Sequence, residues 1–592
     1  MIRVVLRLTR RFATALLALG LLGALVPAVA AADCETVMPT SSVTAGMSGT
    51  GWTVASGTTR ESFDVEVIGV LTNGIAPGRD LILVEGSSAA ITKAGGIWSG
   101  MSGSPVYIGG QFVGAVAYGL SWGPSAIAGL TPASDMVALV DLPVTAAIRR
   151  LDQAPETLRL PAGLARDVAE RAGITAQAAT GLKQLTLPLS VSGLRARGMT
   201  NLAGQLDKRG LSFAPYAGGS APRAGSGSAA PLEAGDNFAV TISYGDFTMG
   251  AVGTASYVCD GRAVAFGHPA TFGGAVTLGA NAAEAITVVP ETLGAPYKLA
   301  KIGDTIGTLD QDRIAGVRSR LGELPSTIPI HSVTNVPELG RSRVGTSEVV
   351  DTRWASLSTY YHLWSAFESE FDAFSSGSGL LWWTFEGKRE DGSTWRLNRG
   401  NRVAGFSYLP DEAAFLPAIQ LDQLTFNPWE DITVTKVNVS GSLETPLRAS
   451  RVAGVKISKN GQRFRVVDVL RARPGTRLRV RVTLRPIERG PDRVVDLALT
   501  IPRNAFPYGY LQVGGPVNEY FWYFEEEGGR YGSFDELLSA LQEQQRNDVL
   551  AGRLMLGFDG PVQRAKKQVR LTSVVIGQRR IRIVPERGGR RG

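Results

Sequence analysis

A mainly β chain of more than one domain is predicted by three features of the sequence. Its 592 residues are enough for two or three domains. Between Ser41 and Asp135, apolar runs at 51–55, 63–70, 81–84, 106–108 and 112–118 are separated by glycine turns, a strand spacing rather than a helical one. Between residues 432 and 501 apolar and polar residues alternate in short runs. The clearest is 478–485, where Leu478, Val480, Val482 and Leu484 face one way and Arg479, Arg481, Thr483 and Arg485 the other. One face packs and the other is wet, as in a strand of a β-sandwich.

Residues 1–32 read as a secretory signal peptide. Arg3, Arg7, Arg10 and Arg11 precede an apolar stretch from Phe12 to Val26, and small residues through Ala32 offer a cleavage site. Asp33 before Cys34 argues against a lipid-attachment site; lipid anchoring and an uncleaved signal anchor are minor alternatives. The mature chain is expected to be secreted, or to reside in the periplasm or cell envelope, with no membrane span, because no later stretch reaches 18 uninterrupted apolar residues. Loss of the leader lowers the formal charge from +8 to about +4, and no basic patch with interleaved aromatics remains to bind nucleic acid. Cys34 and Cys259 are the only cysteines, and an oxidising compartment would let them form one disulfide. Two cysteines and three histidines show no metal-ligand spacing, and no cofactor is expected.

Residues 155–173 carry a helical stripe of Leu158, Leu160, Leu164, Val168 and Ala169 closed by Gly173, and the glycine-serine run at 218–228 predicts a mobile loop. Together they mark a connector or lid at about 141–235, between two β halves. Strands at 238–242, 248–254 and 263–266 follow. Residues 346–425 are rich in aromatics, with Trp354, Trp364, Phe367, Phe371, Phe374, Trp382, Trp383 and Trp395 close together; a core is the default role and a carbohydrate or peptide cleft the alternative. Residues 426–525 are read as an immunoglobulin-like β-sandwich, with a shift of phase between Ile432 and Val434 and the later Val437 and Val439. Residues 526–592 hold a helix starting at Ser533, where Glu536 completes a capping box and Phe534, Leu537, Leu538 and Leu541 form the stripe, then strands near 571–576 and 581–584.

The chemistry concentrates at Gly100-Met101-Ser102-Gly103-Ser104-Pro105. Glycines on both sides of a serine let the backbone turn sharply, expose the hydroxyl and aim consecutive N–H groups at one point, as a tetrahedral oxyanion requires. Such a serine needs a base. His268 follows an apolar strand and the turn Asp260-Gly261, and Pro269 fixes the chain behind it. His331 lies after Pro329-Ile330, and His362 sits in the stretch Tyr360-Tyr361-His362-Leu363-Trp364, where packing is the simpler role.

These pieces resemble the serine peptidases of the sporulation factor four B type, the S55 peptidase family. The resemblance rests on Gly95-Gly96-Ile97 running into Gly100 to Val106, on Gly110 to Val116, on Phe63 to Val70, on Gly253-Thr254 with Val264 to His268, and on Ile306 to Asp312. It spans roughly 38–340, within a peptidase region taken as 38–345. It implies a chymotrypsin-like double β-barrel in which the pattern Gly-x-Ser-Gly-x-Pro makes Ser102, not Ser104, the nucleophile, with His268 as base and the N–H groups of Gly100 and Ser102 as oxyanion hole. In the family pattern the histidine half comes first, whereas here it follows Ser102; the resemblance therefore implies a circular permutation, which surface loops tolerate.

The family position of the orienting acid falls on Ser87, so Asp260, Asp80 and Glu85 are the candidates nearby in sequence. The implied function is a serine endopeptidase acting on protein or peptide through an acyl-enzyme. The alternative is a catalytically impaired peptidase-fold scaffold or peptide-binding protein of the envelope. In resembling enzymes the substrate backbone pairs with the strand after the nucleophile, here 117–120. A pocket near Ile97, Trp98, Tyr118 and Gly119 would then favour a small or apolar side chain.

Overall fold

The computed structural model describes residues 34–121, 123–144, 157–221, 231–290, 296–516, 531–557 and 562–586. The expected signal peptide, residues 1–32, and most of the 218–228 run lie outside them. The fold is mainly β, with 51% strand against 17% helix.

The serine half is a closed barrel. Strands β1 (Ser48–Thr53), β2 (Glu61–Ala76), β3 (Arg79–Ser87), β4 (Pro105–Ile108), β5 (Gln111–Leu120) and β6 (Ile127–Pro132) pair in the order β1-β2-β3-β6-β5-β4, and β4 returns to β1. The first half of β2 shows why it forms a strand: Phe63, Val65 and Val67 are buried while Asp64 and Glu66 are exposed. A register shift between Val67 and Gly69 bends β2 around the barrel, and Gly51 leaves room for the Phe63 ring, which a Cβ there would meet at 2.1 Å.

A connector follows: β7 (Thr157–Arg159), a helix Ala162–Ala172, β8 (Gly181–Gln184), β9 (Leu187–Ser192), a helix Ala196–Lys208 and β10 (Phe213–Ala217). The helical stripe expected from 155 starts later than its pattern suggests. Leu158 lies on β7 and Leu160 just after it, and Pro161 stands at the helix N-cap, while Gly173 ends the helix with φ at 64°.

The histidine half repeats the barrel topology. Strands β11 (Asn237–Gly245), β12 (Thr248–Cys259), β13 (Arg262–Ala265), β14 (Gly274–Val289), β15 (Tyr297–Arg313) and β16 (Gly316–Leu321) pair as β11-β12-β13-β16-β15-β14, and β14 returns to β11. Repeated register shifts along β14 and β15 give these long strands the coil that closure needs. Phe112, Met136 and Leu139 meet Tyr257 and Val264 between the barrels. Cys34 and Cys259 are joined in a disulfide, with Cα atoms 5.1 Å apart.

From β11 the sheet continues through β17 (Ile328–Val336), β18 (Arg341–Val349), β19 (Gly377–Arg389), β20 (Thr394–Gly405) and β21 (Ile432–Glu444), in the order β11-β18-β17-β21-β19-β20. The helices Ala355–Phe371 and Leu409–Thr425 pack on it. Trp354, Trp364, Phe367, Phe371, Trp383 and Trp395 are all buried in this core, so the aromatic segment mostly fills space, with Phe374 and Trp382 exposed. The change of phase within β21 is a bulge opposite Glu386 and Gly387, which brings Val434, Val437 and Val439 to the buried side.

The accessory sandwich differs in extent from the expected 426–525. Strand β21 belongs to the mixed sheet because it pairs with β17 and β19. The sandwich pairs Ala449–Lys459, Arg477–Pro486, Arg493–Thr500 and Val574–Ile576 in one sheet. The other holds Val469–Ala472, Gly509–Gly514, Val549–Leu556, Val562–Arg570 and Gln578–Pro585. Leu478, Val480, Leu497, Leu511, Leu554 and Ile583 share its core, so the last strands complete it. The helix Phe534–Glu543 starts at Ser533, whose Oγ accepts from the Glu536 N–H at 3.2 Å, and it buries Phe534, Leu537 and Leu541 against the mixed-sheet core.

Candidate active site

Ser102 lies on the connection between the third and fourth strands of the first barrel, and His268 on the matching connection of the second. That equivalence brings the two residues face to face. The serine loop leaves β3 through a short helix, Ala89–Ala94, capped by Ser88 and closed by Gly95 at φ 89°. Gly100 and Gly103 then hold φ at 101° and 94°, a region that disfavours any Cβ. The space forbids one as well: a Cβ on Gly103 would sit 2.0 Å from the Thr254 carbonyl oxygen, and one on Gly100 would sit 2.7 Å from Lys298 Cβ.

The loop's polar groups are divided between anchoring and presentation. Gly103 N–H donates to the Val116 carbonyl at 2.7 Å, Ser104 N–H to that of Met101 at 2.8 Å, and Thr254 N–H to that of Ser102 at 2.8 Å. Ser104 Oγ donates to Thr53 Oγ1 at 3.0 Å, inside the first barrel. Among the described residues no protein acceptor meets the N–H of Gly100 or Ser102.

His268 Nε2 lies 2.8 Å from Ser102 Oγ, and its Nδ1 lies 2.8 Å from the carbonyl oxygen of Pro269. A carbonyl only accepts, so the proton sits on Nδ1 and Nε2 is the lone pair facing the hydroxyl. Phe266 and Gly267 bring the ring into position with φ of 70° and 68°, and Thr131 Oγ1 holds the Gly267 carbonyl at 2.5 Å. Both Ser102 and His268 are fully buried. Burial pushes the His268 pKa down to about 4, only partly offset by its bond to Pro269, so the ring is neutral at pH 7.

None of the three nearby acids reaches this ring, which corrects the expectation for Asp260, Asp80 and Glu85. Glu85 pairs with Arg171 at 3.0 Å, Asp80 accepts from the Asn73 N–H at 2.9 Å, and Asp260 forms the β12–β13 turn at φ 47°. Each lies on a strand end or hairpin whose geometry its own neighbours use. The carboxylate that does serve the histidine loop is Asp312, at the end of β15. It is buried and accepts from Ala270 N–H at 2.9 Å, Thr271 N–H at 2.7 Å, Thr271 Oγ1 at 2.6 Å and Gly273 N–H at 3.3 Å. Asp312 therefore pins the backbone just past Pro269, and its only signal in the sequence was its place in the Ile306 to Asp312 segment.

Of the residues expected to line a pocket, Ile97 and Trp98 are buried in one cluster of the first barrel and Tyr118 in a second, and Ile97 and Gly119 border a small cavity together with Ser99, Pro124, Lys183 and Leu185. Lys298 was not anticipated. It is fully buried, donates from Nζ to Asn237 Oδ1 at 2.7 Å, and burial lowers its pKa to about 7. Its N–H donates to the Ser99 carbonyl at 2.8 Å, so its strand buttresses the serine loop. Among the described residues, the group with metal-ligand proximity is Cys34, Cys259 and Asp260, whose sulfurs are in the disulfide. No described helix is long and apolar enough to cross a membrane.

His331 is exposed on β17, and His362 is buried between Ser347 Oγ, 2.8 Å from Nδ1, and Ser332 Oγ, 2.9 Å from Nε2. Burial lowers the His362 pKa to about 4, with Asp246 opposing and Arg343 and His331 adding to the shift. His268 and His362 thus bind protons less readily folded than unfolded, so their stabilisation is full above about pH 6.5 and is lost as pH falls toward 4. The slope is about 1.4 kcal/mol per pH unit for each histidine. Urea unfolding at pH 7 and pH 5 is expected to show this loss, and His362→Gln to reduce it; an equal loss in the variant would contradict the assignment.

Residues 18–128 match a family model described as SpoIVB peptidase S55. The match takes in the serine loop and the first five strands of the first barrel, ends before His268, and supports a peptidase assignment at the family level. Comparison with curated proteins and with solved structures gives no match.

Proposed function

We propose that the chain is a serine endopeptidase, secreted or held in the periplasm or cell envelope, that hydrolyses peptide bonds through an acyl-enzyme. The observation that carries this reading is the 2.8 Å approach of a neutral His268 Nε2 to Ser102 Oγ, beside two N–H groups free to hold an oxyanion. His268 takes the hydroxyl proton as Oγ attacks the scissile carbonyl, the N–H groups of Gly100 and Ser102 bind the oxyanion, and His268 gives the proton to the leaving amine. Water then repeats the sequence to release the acid. The Pro269 carbonyl fills the place usual for a carboxylate: it fixes the tautomer, but its partial charge stabilises an imidazolium less than a full charge does.

The shared strand order of the two barrels favours a permuted chymotrypsin-like domain, because equivalent connections present the pair whichever barrel comes first. A non-catalytic peptide-binding scaffold is the second reading, favoured by the complete burial of Ser102 and His268 and by a carbonyl, with no carboxylate among the described residues, on Nδ1. Exposure of a denatured proteome to the mature protein tests the first. Cleavage by the wild type and none by Ser102→Ala is expected, and cleavage that survives in the variant would overturn the assignment.

A further inference from the structure

We propose that the connector's own segment, Gly181 to Thr186, occupies the groove for the substrate peptide with Leu185 in the side-chain pocket. The chain is thereby self-inhibited, and the pocket takes a leucine-sized apolar residue. This rests on the peptidase reading and names its substrate class.

Strand β8 lies antiparallel on the edge of β5, pairing Gln184 with Tyr118, Lys183 with Gly119 and Leu182 with Leu120. The Leu185 N–H extends the ladder to the Ala117 carbonyl at 3.0 Å. These are the residues, 117–120, whose backbone a substrate strand would use, so segment and substrate exclude each other. Gln184 places the segment at the catalytic pair: its Nε2 donates at 2.8 Å to the Pro269 carbonyl that also holds His268 Nδ1. Leu185 is 6% exposed and joins the cluster of Ile97, Trp98 and Val116. With Leu185 seated, the cavity it borders with Ile97, Ser99 and Gly119 retains only about 20 Å³, room for one water and for no second side chain. The occupied groove accounts for a nucleophile and base with no exposed surface.

The anchoring is nonetheless local. Lys183 is exposed and Gln184 half-buried, so both can be altered without opening a core. The test uses the mature chain carrying Ser102→Ala, which separates groove occupancy from chemistry, and a fluorescent peptide, acetyl-Gly-Leu-Lys-Gln-Leu, copying residues 181–185. Adding Lys183→Pro breaks the pairing with Gly119 and is expected to tighten peptide binding about tenfold by raising the fraction of open groove. Gln184→Ala, a milder change that keeps the proposal testable if the proline variant does not fold, is expected to tighten it about threefold. A peptide ending in lysine is expected to bind neither variant more tightly than the parent. Equal binding by parent and folded variants, or no preference for leucine over lysine, would overturn the inference. Failure of the peptidase reading would appear elsewhere, as no cleavage by the serine-bearing chain even where the peptide binds.

Discussion

Replacement of His268 by alanine is expected to lower kcat by about 10² or more, because Ser102 then has no base; the loss of about 10⁶ seen where the pair acts as one unit includes a carboxylate behind the histidine, a place the Pro269 carbonyl holds here. The pH profile separates this role from a merely structural one. The base must be neutral, and burial holds its pKa down to about 4, so kcat/KM should rise through about pH 4 and stay level through pH 7. An inflection near 6.5, the ordinary histidine value, in the parent would contradict a base kept dry by the closed groove, whereas the Lys183→Pro form, with its groove released, is expected to move up toward that value. His362→Gln serves as the control: it removes an equally buried histidine whose ring bonds Ser347 and Ser332 rather than Ser102, and should leave kcat unchanged.

The largest expected loss of stability follows removal of Asp310. Its carboxylate takes Arg318 Nε at 2.8 Å and Nη2 at 2.9 Å, and both side chains are less than 5% exposed. Arg318 Nη1 donates in turn to the carbonyls of Leu139 at 2.8 Å, Val140 at 3.0 Å and Leu142 at 2.5 Å, which fastens the second barrel to the chain leaving the first. Asp310→Ala leaves a buried guanidinium without its counter-charge and should cost about 3–5 kcal/mol in urea unfolding. Arg318→Met combined with Asp310→Leu should recover only part of this, since the three carbonyls lose their donor. Full recovery would show that the carbonyl contacts contribute little.

Much of this architecture was legible because it is written in local pattern. Alternation marked β2 and the sandwich strand 477–486, Ser533 and Glu536 marked the last helix, and the glycines around Ser102 marked a loop that only glycine can build. The serine and the histidine could be chosen because each sat in a short, distinctive context. What escaped was set by contacts between distant segments. Asp312 reaches the histidine loop across the β14–β15 hairpin, from 41 residues beyond Thr271, and nothing near His268 in sequence announces it. Asp80, Glu85 and Asp260 were near in sequence but committed to their own turns and pairs. The sandwich boundary was misplaced because a strand's period does not say which sheet it joins; β21 alternates like the sandwich strands but finds its partners in β17 and β19. The fate of Leu185 was equally hidden, since a connector strand carries no mark of the edge it will cover.

Activation of Ser102 as a nucleophile can be read out on the residue itself. It is tested most directly by treating the protein lacking residues 1–32 with a fluorophosphonate, in the parent and in the Lys183→Pro form, and locating the adduct by peptide mass spectrometry. An adduct on Ser102 is expected, formed faster in the released form, absent in Ser102→Ala and nearly absent in His268→Ala. A folded, groove-released protein that takes no adduct at Ser102, or one labelled equally well without His268, would contradict it.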